Sequence, residues 1–153
     1  MADYQLKEDT AVQTVIDDGA LLADGARAAG DYDNSANLDP LARAYLTVQY
    51  NAGPPAANLI VGTMWVLPGD GAGTEVFPPG GDAAIGTDDD PQAVFQVAVF
   101  ECINPSTSVD EALGTVAFNL YGQTNRFVIR NDSGQEFDAT WQLDIKPMKA
   151  SIA

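Results

Sequence analysis

From Leu41 onward the chain alternates. In Leu41–Tyr50 the residues Ala42, Ala44, Leu46, Val48 and Tyr50 fall on one side, and Arg43, Thr47 and Gln49 fall on the other. That period of two marks a strand with one face in a core. Leu59–Leu67 (LIVGTMWVL) is apolar at odd and even positions alike, which predicts a central strand covered on both sides. Val94–Ile103, Leu113–Tyr121 and Asn125–Arg130 predict three more strands. Ala139–Met148 predicts a last one, with Trp141, Leu143 and Ile145 inward and Gln142, Asp144 and Lys146 outward. Breakers separate these runs. Pro54 and Pro55 remove backbone donors, and Asn104-Pro105 and Gly122-Gln123-Thr124 favour turns. Asn131–Gly134 (NDSG) reads as a tight reversal between hairpin strands. Seven or eight short strands with no convincing helix predict an all-β, antiparallel two-sheet β-sandwich, jelly-roll-like.

The first forty residues follow a different rhythm. Ala11–Ile16 (AVQTVI) is β-prone, and the Asp-Asp-Gly after it signals a turn. Residues 19–40 then mix Ala, Gly, Asp and Asn with little alternation, and Gly25 and Gly30 interrupt any helix begun at Leu21 and Leu22. Residues 1–38 are therefore expected to form an N-terminal arm with one short strand, and residues 39–153 the sandwich domain. Pro40 marks the boundary by biasing Asp39 to an extended conformation. Between the strands, residues 68–92 form a loop rich in Gly, Pro and Asp, too long for an ordinary hairpin connection.

Charge narrows the function. The 153 residues carry 22 acids against 7 bases, a net charge of −15. Nine acids lie in residues 1–40 and six, with no base, in residues 68–92. Such a field repels phosphate backbones and anionic membrane surfaces, so neither nucleic acid nor membrane is an expected partner. No apolar run is long enough for a transmembrane helix, and the N-terminus lacks the apolar region of a secretory signal. The single cysteine, Cys102, sits in an apolar run and reads as a small buried hydrophobe.

The chain has no histidine, which removes Ser-His-Asp and Cys-His nucleophile systems and histidine zinc sites. A glycosidase-type carboxylate pair needs a desolvated acid, whereas the acids here cluster in glycine-rich or terminal stretches. Glu101, within an apolar run, occupies an outward position of the alternation. Asp31–Ser35 (DYDNS) opens like an EF-hand loop, but Ala36 stands at its glycine position and Ala42 at its bidentate glutamate position. Asp88-Asp89-Asp90 reads as a solvated run. No catalytic residue, metal site or cofactor is expected, and the chain is not expected to be an enzyme. An aromatic face for carbohydrate is the rival reading, with Trp65 and Trp141 as candidates that alternation assigns to the core, and Tyr32 and Tyr50 as weaker ones.

The stretches LTVQYNAGPPAAN, QVAVFE and NRFVIRNDSGQEFDATWQLDIKP together resemble small β-sandwich virion proteins of tailed bacteriophages. The run from Phe127 to Gln135 carries most of that resemblance, which covers residues 41–148. It implies a virion structural protein, made in the host cytoplasm, such as a capsid decoration (cement) protein on the outer capsid surface. The partners it implies are the major capsid protein or other virion proteins, and a homotrimer is the expected oligomer. The alternative is a tail or host-adhesion module that binds carbohydrate. Four of the bases, Arg126, Arg130, Lys146 and Lys149, lie in the last 28 residues and are the expected interface patch of the final hairpin. Val15, Leu21, Leu22 and Tyr32 are the expected contacts of the arm.

Overall fold

The computed structural model describes residues 4–9, 11–17, 19–53, 55, 59–69, 91, 95–102 and 109–152. The strands are β1 (Tyr4–Glu8), β2 (Gln13–Ile16), β3 (Arg27–Asp33), β4 (Leu41–Gln49), β5 (Leu59–Gly69), β6 (Gln96–Cys102), β7 (Val109–Gly114), β8 (Phe118–Asn119), β9 (Thr124–Asn131) and β10 (Gln142–Ile152). They form two antiparallel sheets, so the fold is the all-β sandwich that the alternation predicts.

The first sheet is built on β4 and β10, paired from Leu41↔Met148 to Thr47↔Gln142. The free edge of β10 is shared, with β2 against Leu143–Ile145 and β1 against Met148–Ile152. The free edge of β4 is shared in the same way by β7 and β8. The second sheet has the order β3-β9-β5-β6. Between the sheets lies one core. Ala42, Ala44, Leu46 and Val48 from β4 and Leu143 and Ile145 from β10 meet Met64, Val66, Phe100, Phe127 and Ile129 from the second sheet. These are the residues that period two places on one face, and burying them is the main driving force of the fold.

β5 fits its reading as a strand covered on both sides, since Val61 to Leu67 are all buried. Met64 and Val66 face the main core, while Trp65 and Leu67 join Val128 in a second cluster, with Ala29 and Phe95 packed against it. Trp141 is core at 1% exposure, and its indole Nε1–H donates to the Ala20 carbonyl at 3.0 Å. Cys102 is buried and Glu101 is exposed, each as its position in the alternation implies.

Three expectations are corrected. Residues 1–38 hold three strands where one was expected, and β3 is a full member of the second sheet, paired with β9 from Arg27↔Arg130 to Asp33↔Thr124. Ile16, Leu22, Ala28 and Tyr32 belong to the main core, so this segment is woven into the sandwich. The run Leu113–Tyr121 is not one strand. β7 begins earlier, at Val109, and ends at Gly114, and β8 is a separate two-residue pairing. The reversal at Asn131–Gly134 does not close a hairpin, because β9 and β10 lie in different sheets. Asp144 faces outward as the alternation places it, beside Tyr45 on β4, yet it is only 8% exposed, with Thr14 Oγ1 (2.7 Å) and Gln142 Nε2 (2.8 Å) donating to it.

Asn131 explains the crossing from sheet to sheet. Its buried Nδ2 donates to the carbonyls of Leu22 (2.9 Å) and Gln135 (2.7 Å), and its Oδ1 accepts from the Ser133 N–H and hydroxyl. A buried amide with its capacity filled fixes the path of the chain, and Gly134 supplies the positive φ (76°) that the turn needs. Val94, Ile103, Asn104-Pro105, most of the 68–92 loop and the triplet Asp88-Asp89-Asp90 lie outside the described residues.

Candidate functional site

The connection from β3 to β4 crosses one open end of the sandwich, and a second buried asparagine organises it. Asn34, 1% exposed, accepts the Asp39 N–H on Oδ1 at 2.9 Å. Its Nδ2 donates to the Asp39 carbonyl at 2.9 Å and to the Gly122 carbonyl at 3.1 Å. Its own carbonyl accepts from the N–H of Leu38 (2.8 Å) and of Asn37 (3.2 Å). Gripped on both sides, the chain bends tightly, and Leu38 is forced to φ 50°, the left-handed region that L residues avoid. It is the one non-glycine residue with positive φ among the described residues, and its side chain stands out of the surface at 59% exposure.

The next residue turns the other way. Asp39 is 4% exposed, and its Oδ2 is buried with no hydrogen-bond partner among the described residues. It lines a cleft of about 350 Å3 together with Ala36, Asn37, Leu38, Pro40 and Lys149. Lys149 reaches the cleft from β10, and its Nζ lies 2.8 Å from Asp9 Oδ2. Asp9 is held just beyond β1 by its N–H, which donates to the Pro147 carbonyl at 2.8 Å.

Electrostatics at this end are coupled. Burial pushes the Asp39 carboxyl above the usual aspartate range, with the Lys149 charge opposing the shift and the Asp9 charge adding to it. Burial, then the Asp39 charge, raises the Tyr32 phenol, and Lys149 pulls the other way. A hydrogen bond to Asp9 and that carboxylate's charge raise the Lys149 ammonium. The result is an acceptor with unmet capacity beside a projecting aliphatic side chain. That arrangement suits recognition of a group with a strong donor and an apolar stem.

A second, smaller cleft of about 260 Å3 lies on the outward face of the first sheet, lined by Val12, Tyr45, Thr47, Asp144 and Lys146. Lys146 Nζ sits 5.1 Å from the centre of the Tyr45 ring, and the Tyr45 hydroxyl donates to Glu8 Oε1 at 3.3 Å.

The expected interface residues do not form one patch. Arg126 and Arg130 belong to the second sheet, Lys146 and Lys149 to the first. Arg126 lies 3.8 Å from Asp31, Arg130 pairs with Asp132 and lies over the Trp65 ring at 5.4 Å, and Lys149 lines the Asp39 cleft. Of the four arm residues only Leu21 is strongly exposed, at 51%. Leu22 bridges Phe137 within the core, Tyr32 is buried, and half-buried Val15 packs against the core.

The bases gather in directly opposed cross-strand pairs: Arg27↔Arg130, Arg43↔Lys146 and Lys7↔Lys149. Like charges so placed repel. Acids relieve each pair, with Asp132 on Arg130, Glu8 on Arg43 at 3.0 Å, and Asp9 on Lys149.

Among the described residues, no cluster of three or more Cys, Asp or Glu could hold a metal ion. Nor is any helix long and apolar enough to cross a membrane. In the sequence Leu38 is the last residue of the expected arm and Asp39 the first of the expected sandwich domain, and neither is a candidate site residue. Their one signal there is Asn34, four and five residues upstream and polar inside an otherwise ordinary turn.

No protein-family model matches this chain, and no curated protein matches it. Among solved structures it is similar to a β-porphyranase of glycoside hydrolase family 86 from the human gut bacterium Bacteroides plebeius. The identity is 8% and the TM-score 0.46, over 98% of this chain and 21% of that one. So distant a likeness, to a small part of a larger protein, carries no argument about activity.

Proposed function

We propose that this chain is a non-enzymatic virion structural protein that attaches to the outer surface of an assembled capsid and stabilises it by bridging neighbouring subunits. The observation that carries the reading is the disposition of charge. Arg43, Arg126, Arg130 and Lys149 are each engaged by one of the chain's own carboxylates, so 22 acids dominate what the surface presents. A protein that grips packaged DNA needs free cations facing outward. An acidic sandwich instead suits the outside of a shell, where a complementary capsid face steers it into place. The resemblance of residues 41–148 to phage β-sandwich proteins points the same way. In this reading the chain is made in the host cytoplasm, joins the major capsid protein on the finished shell, and acts as a homotrimer at local three-fold positions.

The test is co-sedimentation of the purified protein with shells assembled from the major capsid protein of the same genome. Saturable retention, together with a trimer mass in analytical ultracentrifugation, is the expected result. Shells that leave the protein in the supernatant refute the reading. A tail or host-adhesion role in carbohydrate binding is the second reading, and the Tyr45 cleft favours it. There an aromatic ring, a cation and a fixed carboxylate share one outward face. Retention on polysaccharide resins that is lost in Tyr45→Ala, with none on shells, selects it.

A further inference from the structure

We propose that the Asp39 cleft is a docking socket for a single arginine side chain presented by a partner protein, with the guanidinium against the Asp39 carboxylate and the alkyl stem across Leu38 and Pro40. The inference rests on the attachment reading above and names the chemistry of the contact.

Two independent features of the cleft meet in that ligand. The first is the Asp39 carboxylate, 4% exposed, with one buried oxygen that no donor among the described residues satisfies. A buried carboxylate short of donors is costly, and an opposite charge held against it relieves that cost. The second is Leu38, held at φ 50° by the Asn34 clamp with its side chain 59% exposed. An aliphatic surface projecting beside a carboxylate matches a side chain that is apolar along its stem and cationic at its head. Sugar sites rely on an aromatic platform, and the cleft lining has none.

Charge supports the same occupant. Lys149 lines the cleft, but its ammonium lies against Asp9 at 2.8 Å, so the two are neutral as a unit. Lys7, opposite Lys149 on the ladder, is exposed and therefore screened by solvent. Lys149 also acts on Asp39, so the three groups together leave one negative charge at the cleft, within a molecule of net charge −15 that draws cations toward it. Arginine suits the socket better than lysine, because a planar guanidinium sheds its hydration more readily and donates along a fixed direction.

The experiment is a titration of the full-length, isotope-labelled protein with N-acetyl-arginine amide, read by amide chemical shifts. The uncharged isostere N-acetyl-citrulline amide serves as the control. Saturable shifts at Leu38, Asp39 and Lys149 with a dissociation constant on the order of 10 mM are expected for one such contact. Citrulline amide should shift them little. Asp39→Asn should weaken binding about tenfold or more, and Leu38→Gly, which suits a positive φ, about two- to threefold, both with the rest of the spectrum unchanged.

Equal response to citrulline amide overturns the socket in favour of a neutral hydrogen-bonding ligand. Shifts spread evenly over all acidic residues overturn it in favour of the general field, and full binding by Asp39→Asn overturns it outright. Co-sedimentation of Asp39→Asn with shells separates the two proposals. Wild-type attachment by that variant sinks the socket and leaves the decoration reading standing.

Discussion

Gly30 offers the sharpest test of whether the N-terminal segment belongs to the sandwich. It pairs with Phe127 on β9 and points to the same side of β3 as Ala28 and Tyr32, toward β2 of the other sheet. A Cβ placed on it runs into the Val15 carbonyl oxygen, and meets Ile16 Cγ1 at 2.9 Å and the Val15 carbonyl carbon at 3.0 Å. The absent side chain is what lets β2 lie directly on β3 and close that side of the core. In Gly30→Ala the obstacle is backbone, which cannot swing aside as a flexible side chain would, so β2 must lift. Overpacking of this kind costs about 1–3 kcal/mol, while exchanging glycine for alanine in a strand returns roughly 0.5–1 kcal/mol.

The net expectation is a loss of about 1–2 kcal/mol, measured as a lower urea midpoint at unchanged slope. Gly114→Ala is the control. Its Cβ meets only the Tyr45 ring, at 3.4 and 3.5 Å, and stability should hold within about 0.5 kcal/mol. If Gly30→Ala is as stable as the wild type, β2 does not rest on β3, and residues 1–38 return to being an arm. Deleting residues 1–38 is the coarser version. It removes β1, β2 and β3 together and should abolish cooperative unfolding.

Three further outcomes are expected. Trp141→Ala should destabilise by about 3–5 kcal/mol in chemical denaturation, since it empties a fully buried site against Phe137 (rings 5.9 Å apart); a loss under about 1 kcal/mol refutes that packing. Leu38→Gly should raise stability by about 0.5–1 kcal/mol, because glycine relieves the left-handed strain and repays part of it in unfolded-state entropy; a loss shows that the leucine packs within the monomer. Asp39 has a folded-state pKa above its unfolded value, so the folded state binds its proton more tightly. The stability linked to this group is therefore full below about pH 4 and declines as pH rises through the raised pKa. The melting temperature of Asp39→Asn relative to wild type should accordingly climb as pH rises above about 4, and a flat difference removes the electrostatic account.

The sequence made β4 and β10 legible because each has one face in the core and one in solvent, so period two is written in residue type as well as in geometry. It concealed β1 and β3 because they are edge strands, and their strand character comes from pairing with β10 and β9. In β3 the inward positions are Ala28, Gly30 and Tyr32, and two of these three residues are too small to register as hydrophobic alternation. The β9–β10 reversal failed for another reason. Periodicity identifies strands but not the sheet each one joins, and Asn-Asp-Ser-Gly suits a hairpin as well as a crossing. What decides between them is Asn131 reaching Leu22, 109 residues away in sequence, a contact that no local pattern encodes.

The cleft was hidden by the same kind of distance, yet its cost marks it. A leucine in the left-handed region and a carboxylate buried with an open oxygen are both unfavourable, and single substitutions to glycine and to asparagine would relieve them. Asn34 and Asn131, by contrast, use both ends of their amides, and Asp144 accepts two hydrogen bonds, although Trp65 Nε1 and Asn125 Nδ2 are also buried without a hydrogen-bond partner among the described residues. Two adjacent residues carry unrelieved cost, on a loop that a buried clamp holds rigid, at an open end of the sandwich. Two kinds of cost on neighbouring residues fit a place that something outside the chain completes. This separates Leu38 and Asp39 from Arg126, Arg130, Lys146 and Lys149. Carboxylates of the chain itself lie beside three of those four residues, at 3.8 Å for Arg126, and Lys146 lies over its tyrosine ring. A partner that docks here gains from what the fold leaves open, and the acidic surface around the cleft sets the sign of the group it must bring.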